Sequence, residues 1–280
     1  MSTVRPPKVS VTIPVYNGEA HLAETIASVL AQSWGDFELV ICDDHSTDGS
    51  LDVAAACMDD RIRILRSDRN LGFGGNWNRC LAAAQGRYIK ILPQDDLLHP
   101  DCLSKQAQVL ESDAPGEVAL VFCARDIVSP SGKSHLTRRL AGKTTRYTGA
   151  GIAKLTAKLG TNPIGEPGSV LFRRTAAQSA GGFNGARLFV IDIEYWLRLL
   201  SHGSAVYLPD VLASFRVSRS SHSVRMARHQ ASEFKAFLTE LKEAGHYPLS
   251  DGDIRLGGLM ATLNSLGRSI YYRLTMGATS

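Results

Sequence analysis

Four times in its first 125 residues the chain passes from a short apolar run, through a polar loop, into a helical period. The apolar runs are Val9–Val15, Phe37–Cys42, Arg61–Leu65 and Tyr88–Leu92, with Arg61–Leu65 alternating like an edge strand. Between them, Leu22, Ile26, Val29 and Leu30 mark one face of a helix over Ala20–Ser33, and Ser50–Met58 reads as a second. Trp77, Leu81 and Ala84 mark a third behind a glycine-rich loop at Asn70–Gly75, and Leu103, Ala107 and Leu110 a fourth begun by Pro100. Val118–Cys123 is a further strand. Such alternation predicts an α/β fold with a mostly parallel, doubly wound sheet. Right-handed crossovers then bring every strand-end loop to one rim, where ligands of open α/β sheets bind.

Two acid pairs fall on that rim. Asp43-Asp44 ends the second strand and Gln94-Asp95-Asp96 follows the fourth. Adjacent carboxylates repel, and a divalent cation or a set of donors relieves them; Mg²⁺ commonly arrives with a diphosphate. The alternative for Asp96 is a turn and a helix cap. Asp43 or Asp44 can accept from a pyrimidine N3–H or from ribose hydroxyls, or can close a turn through local Asx hydrogen bonds. Asp48 or Ser46 can cap the helix that follows.

Gly72-Phe73-Gly74-Gly75 follows the third strand, not the first, and lacks the last spaced glycine of a dinucleotide fingerprint, which excludes a Rossmann dehydrogenase. Asn76 and Asn78 beside it are candidate polar contacts. Asp192 opens a helix in which Ile193, Trp196, Leu197 and Leu200 share one face. It reads either as an N-cap or as a general base presented from an apolar run. No GxSxG or GxxxxGK[ST] occurs, and the histidines, His45, His99 and His222 among them, show no metal-binding spacing.

After residue 125 the alternation weakens. Ser129–Gly132 is a turn, Thr137–Gly151 reads as a basic loop, and Ser169–Arg173 as a strand. A short helix, Thr175–Ala180, follows, then strands at Ala205–Leu208 and Val211–Val217, then helices over Met226–Ala244 and Ile254–Met276. Charge is unevenly spread. Ile127–Gly165 contains seven Lys and Arg residues and no acid, and no acid follows Asp253. Such stretches are either solvated faces or holders of phosphate and anionic lipid. The formal charge of +4 gives no reason to expect a nucleic acid partner.

A length of 280 residues suffices for a sizeable core, and 44% apolar with 21% charged residues suits a globular protein. No run approaches the ~18–20 apolar residues of a membrane span, and the N-terminal stretch lacks the apolar region of a secretory signal. The five cysteines are scattered without CxxC spacing, as expected of reduced core residues in a cytoplasmic protein.

With these residues in hand, the chain resembles the family-2 inverting glycosyltransferases of GT-A type. The resemblance spans about residues 8–223 and rests on five ordered stretches: VSVTIPVYNGEAHLAETIASVLAQSW, FELVICDDHSTDGS, NLGFGGNWNRCLAAAQGRYIKILPQDD, GEPGSVLFRR and IDIEYWLRLLSHG. It implies a GT-A catalytic domain over 1–223, with a nucleotide-sugar half to about 125 and an acceptor half from 126, followed by a helical extension over 224–280. It further implies a nucleotide-sugar donor, a UDP-sugar first, contacted by Pro14, Val15, Tyr16, Glu19, Asp43, Asp44, Asn78, Gln94 and Asp95. Asp96 would hold Mg²⁺ or Mn²⁺, Asp192 would be the general base, and Glu166 and Pro167 would lie on the acceptor side. The acceptor implied is a glycan or a lipid diphosphate-linked sugar in bacterial polysaccharide assembly, with peripheral contact at the inner face of the plasma membrane.

Two departures stand out. Gln94 replaces the first acid of the motif, and Phe215-Arg216-Val217-Ser218 lacks the histidine many members carry, which leaves His222 as a substitute by a loop shift. The competing readings are a nucleotidyltransferase acting on sugar phosphates and a non-catalytic nucleotide-sugar-binding module of the same fold. PVYNGE offers no Arg or Lys for a triphosphate, which disfavours the first.

Overall fold

The computed structural model describes residues 5–217 and 230–276, with side chains through Ile270. Its centre is a sheet ordered β3-β2-β1-β4-β9-β6-β10-β5. The first four strands are β1 (Val9–Val15), β2 (Phe37–Asp43), β3 (Ile62–Arg66) and β4 (Tyr88–Ile91). They run parallel, with β1 between β2 and β4 and β3 at the edge. β6 (Val118–Val128) and β10 (Ser204–Arg216) continue the parallel direction. β9 (Val170–Arg173) lies antiparallel between β4 and β6, and β5 (Leu97–Leu98) antiparallel on β10.

Val15 pairs with Asp43, and Thr12 with Ile91, so the chain leaves β1, β2 and β4 on one side of the sheet. Four helices return it: α1 (Glu19–Leu30), α2 (Ser50–Ala55), α3 (Gly72–Ala83) and α4 (Cys102–Ser112).

The sheet separates two cores. Val9, Val11 and Ile13 of β1 pack with Leu22, Ile26 and Val29 of α1 and Leu103 and Leu110 of α4. On the opposite face, Ile89 and Ile91 of β4 and Leu120 and Phe122 of β6 pack against α5 (Gly149–Leu159) and α7 (Ile191–Leu200), with Trp196 wholly buried. Between β9 and α7 lies α6 (Arg174–Ala180), closed by Gly181 at φ +78°.

Four expectations need correction. The stretch Thr137–Gly151 is not a loop. It contains the end of β7 (Ser134–Arg138), paired with β6 across the Ser129–Gly132 turn, then β8 (Thr145–Tyr147) on β10, then the start of α5. Every residue of β7 is exposed, so no apolar alternation marks it. Secondly, α3 begins at Gly72, inside the glycine-rich stretch, because Asp44 receives its first amides. Thirdly, the two expected strands after Gly203 are one strand, β10, with an irregularity between Leu208 and Val211. Lastly, Asp192 is not an N-cap; Val190 occupies that position.

The C-terminal helices are α8 (Gln230–Glu243) and α9 (Asp251–Met276). Phe234, Phe237, Leu238 and Ala261 join the core formed by α5 and α7, so this extension is seated on that part of the fold rather than standing apart. Ser218, His222 and the expected 223/224 boundary lie outside the described residues.

Gly160 makes the seat of α9 possible. It ends α5 at φ +60°, and a Cβ there would lie 2.3 Å from the Ala261 amide nitrogen. Gly160→Ala is expected to cost at least about 2 kcal/mol, from the left-handed backbone and the clash together. A urea melt reads this directly; an unchanged midpoint would mean that α9 does not rest on Gly160.

Candidate functional site

The strand-end loops border one cavity of about 1360 Å³. Pro14, Val15 and Tyr16 enter its wall from β1, Asp44 from β2, Gln94 and Asp95 from β4, Arg125 from β6, and Glu166, Pro167 and Asp192 from the other half. Of the carboxylates expected at the site, Asp44, Asp95, Glu166 and Asp192 meet on this one surface. Asp96 lies directly behind Asp95 and is 2% exposed.

Two expected contacts do not reach the cavity. The Glu19 carboxylate accepts from the Gly49 amide at 3.0 Å, latching α1 to the loop before α2. Asp48 completes that latch, accepting from the amides of Glu19 and Ser50. Asp43 is turned inward and accepts from the Ser46 amide, with Arg66 3.7 Å away. Asp43 is therefore the Asx-type turn residue, and Asp44 is the acid on the rim.

Asp44 itself is held. Its two oxygens accept from the amides of Leu71 at 2.7 Å and Gly72 at 3.0 Å, the first donors of α3. Helix N-termini favour a negative group, which fixes this carboxylate against the cavity wall. Asn76 and Asn78 carry structural duties as well. Asn76 donates to the carbonyls of Cys42 and Val15, tying β1 to β2 at their ends. Asn78 closes a two-way pair with the Phe183 backbone while also lining the cavity.

The replacement of an acid by Gln94 has a physical reason. Its Oε1 accepts from the Tyr16 amide at 2.8 Å and its Nε2 donates to the Tyr16 carbonyl at 3.2 Å. An ionised acid has no donor for the second bond. Gln94 thus couples the loops after β1 and β4, and it leaves the Tyr16 ring, half exposed, over the cavity.

Asp95 and Asp96 share a poorly solvated corner. Burial raises the Asp95 carboxyl above its usual range, with His21 and Arg216 opposing. Burial and then the Asp95 charge push Asp96 well above its usual range. Asp96 Oδ1 accepts from the Arg216 amide at 2.9 Å. The buried Arg216 guanidinium donates to the carbonyls of Asp95 and Pro130 and pairs with Glu24 at 2.6 Å. One side chain therefore fastens the acid pair to β10, α1 and the β6–β7 turn.

Across the cavity stands Asp192. Burial first, and then the Glu166 charge, raise its carboxyl to about 7, against donation from the Ile193 amide and the Asn162 side chain. Burial also works to raise Glu166, but the charges of Arg125 and Arg138 and its ion pair with Arg125 keep it low. Gly165 makes room for that pair: at φ +109° it lies so close to the Arg125 guanidinium that a Cβ would overlap it. Behind it, fully buried Lys90 donates to the carbonyls of Gly168 and Val170, pinning the 3₁₀ turn Pro167–Ser169 next to Glu166.

Arg125, Arg216 and Lys90 were not foreseen as site residues. The available signal was a charged residue inside a strand, since isolated charges in buried strands need partners. Among the described residues, no group of three or more His, Cys, Asp or Glu side chains could enclose a metal ion. A divalent cation at Asp95 and Asp96 would draw its remaining ligands from water and a bound diphosphate, the habit of Mg²⁺. Two adjacent hard-oxygen carboxylates, both shifted towards protonation by burial, fit such a cation.

Comparison with known proteins identifies the family and the fold. A family profile described as Glycosyl transferase family 2 matches residues 10–181. The chain is 34% identical over 209 residues to the putative glycosyltransferase EpsE of Bacillus subtilis, spanning 72% of this chain and 69% of that protein. Among solved structures, it resembles residues 1–349 of S. aureus TarS in complex with UDP-GlcNAc, with a TM-score of 0.69 at 18% identity over 96% of this chain and 76% of that one. The mannosyltransferase PcManGT of Pyrobaculum calidifontis, in complex with GDP-Man and Mn²⁺, gives 0.63 at 17% identity over 99% and 77%.

The raised Asp192 carboxyl has a consequence for stability. A folded state that holds this proton to about pH 7, against about 4 in the unfolded chain, loses stability as pH rises between those values and no more above them. Asp192→Asn removes that loss. With EDTA present, the variant should melt close to wild type near pH 4 and above it near pH 8. A variant that melts below wild type at the higher pH would show that the aspartate is stabilised as an anion.

Proposed function

The chain belongs to glycosyl transferase family 2, and from that premise we propose that it is an inverting enzyme moving a sugar from a nucleoside diphosphate to an acceptor hydroxyl. The observation that carries the reading is that Asp95 and Asp192 enter one cavity from opposite halves of the fold, with Asp96 behind the first. Family membership also sets aside the nucleotidyltransferase reading.

In this reading the nucleoside lies along Pro14, Val15, Tyr16 and Asp44, with the Tyr16 ring beside it. The diphosphate reaches Asp95 and Asp96, which would hold Mg²⁺ or Mn²⁺. A divalent cation there offsets the charge that gathers on the departing diphosphate. Support comes from the Mn²⁺ in the PcManGT complex and from the UDP-GlcNAc of the TarS complex.

Asp192 is the general base. A carboxyl near 7 is ionised in a large fraction of molecules at neutral pH and still basic enough to take a hydroxyl proton. As the proton passes to Asp192, the acceptor oxygen bonds to the anomeric carbon from the face opposite the diphosphate, and the bond to the diphosphate oxygen breaks. One displacement inverts the anomeric centre. Glu166, held by Arg125, stands beside the base and orients the acceptor with Pro167.

The acceptor is a glycan or a lipid diphosphate-linked sugar of bacterial polysaccharide assembly, met at the inner face of the membrane. Arg138 lines the same cavity and suits an acceptor carrying phosphate. Similarity to the succinoglycan biosynthesis protein ExoO of Rhizobium meliloti and to the putative teichuronic acid biosynthesis glycosyltransferase TuaG of Bacillus subtilis, each over less than half of this chain, supports a role in polysaccharide assembly, and no helix among the described residues is long and apolar enough to cross a membrane.

Two variants separate the roles, with UDP-GlcNAc as the probe donor. Asp192→Asn should keep donor affinity within about threefold and lose 10²- to 10⁴-fold in turnover, order of magnitude. Asp96→Asn should lose the Mn²⁺-dependent part of donor affinity, read by calorimetry with Mn²⁺ and again with EDTA. Unchanged turnover in the first variant would remove the base, and an unchanged Mn²⁺ effect in the second would remove the cation ligand.

A further inference from the structure

Helix α9 buries one side against the catalytic half. Gly257 lies on Leu238 and Ala157, Ala261 sits over Gly160, and Asn264 donates to the carbonyls of Leu159 and Gly160. The opposite side carries Leu256, Leu259, Leu263, Leu266 and Ile270, each between 43% and 60% exposed. They follow one another at alternating steps of three and four residues, the a and d positions of a heptad. The stripe is about 21 Å long at about 1.5 Å per residue.

That spacing selects a helix as its partner. A bilayer surface is met by a broad apolar face whose polar side is lined with Lys and Arg. Here the stripe is only two positions wide, and the surrounding charge is mixed. Asp251 and Asp253 start α9, which also carries Arg255, Arg268 and Arg273, and neighbouring α8 carries Glu233, Glu240 and Glu243 beside Lys235 and Lys242. The e and g flanks are Met260, Thr262, Gly267 and Ser269, which carry no charge and bring no like-charge repulsion when the stripe meets itself. The exposed part of the five side chains amounts to roughly 500 Å², at the upper end of what a monomer leaves in water. Two such stripes together bury about 1,000 Å², the floor for a specific interface.

We propose that this stripe is the seam of a homodimer, two copies of α9 packed as an antiparallel pair. In that arrangement Leu263 faces Leu266, and Leu259 faces Ile270, of the second copy, and each contact occurs twice about a two-fold axis. Opposed helix dipoles favour the antiparallel sense. Leu263 and Gly267 also line the catalytic cavity, so the second helix stands at its mouth. The inference does not depend on the chemistry assigned to Asp192 or Asp96.

Sedimentation velocity from about 1 to about 100 µM tests it. The wild-type chain should move from monomer to dimer over that range, and Leu259→Glu/Leu266→Glu should remain monomeric throughout. Thermal unfolding of the variant at the lowest concentration should match wild type, because both leucines are exposed in the single chain. Should the charged pair fail to fold, Leu259→Ser/Leu266→Ser should weaken dimerisation at least about tenfold. A wild-type monomer at about 100 µM overturns the proposal, as does a dimer untouched by these substitutions. Co-sedimentation of wild type, but not the variant, with phosphatidylglycerol vesicles and no dimer in solution would assign the stripe to a bilayer instead.

Discussion

Asp95, Asp96, Glu166 and Asp192 gather at the end of one sheet, and four carboxylates so near one another cannot all ionise without help. Permanent counter-charge comes from two arginines. Arg125 binds Glu166 directly, and Arg216 ties down the backbone and neighbours of the Asp95-Asp96 pair. Neither arginine pairs with Asp192. That imbalance leaves Asp192 holding its proton close to neutrality, a condition that costs stability and suits proton transfer.

The crowding follows from topology. Parallel pairing of β1 with β2 and β4 sends three loops out on one side, and β10, entering beside β6, delivers Arg216 to the same place. Gln94 and Glu19 then lock adjacent loops to each other, so the β1–β4 side of the cavity is set by hydrogen bonds between segments rather than by any single loop. On the other half, Lys90 reaches from β4 to the turn beside Glu166 and couples the two.

Much of this is visible in the residues. The strands β1, β2 and β4 announce themselves as apolar runs broken by Pro, Asn and Asp, and that pattern is enough to bring Asp44 and Asp95 together; Asp192, on α7, is placed opposite them only by the family resemblance. Which acid of a pair faces the ligand is a different matter. Asp43 and Asp44 are chemically equal in sequence, and only the amides of α3 and of Ser46 tell them apart. The resemblance makes Glu19 a ligand contact, yet the Gly49 backbone amide, 30 residues away, claims it. β7 was invisible because a fully exposed strand has no alternation to read, and Arg125 because its partner Glu166 lies on another element.

A single base opposite the acids proposed to receive the diphosphate permits one displacement and no covalent sugar–enzyme intermediate. Proton NMR of the slow hydrolysis of an α-linked uridine diphosphate sugar examines that layout with water as the acceptor. The first hemiacetal to appear, before mutarotation, should be the β anomer. Release of the α anomer first would contradict the account.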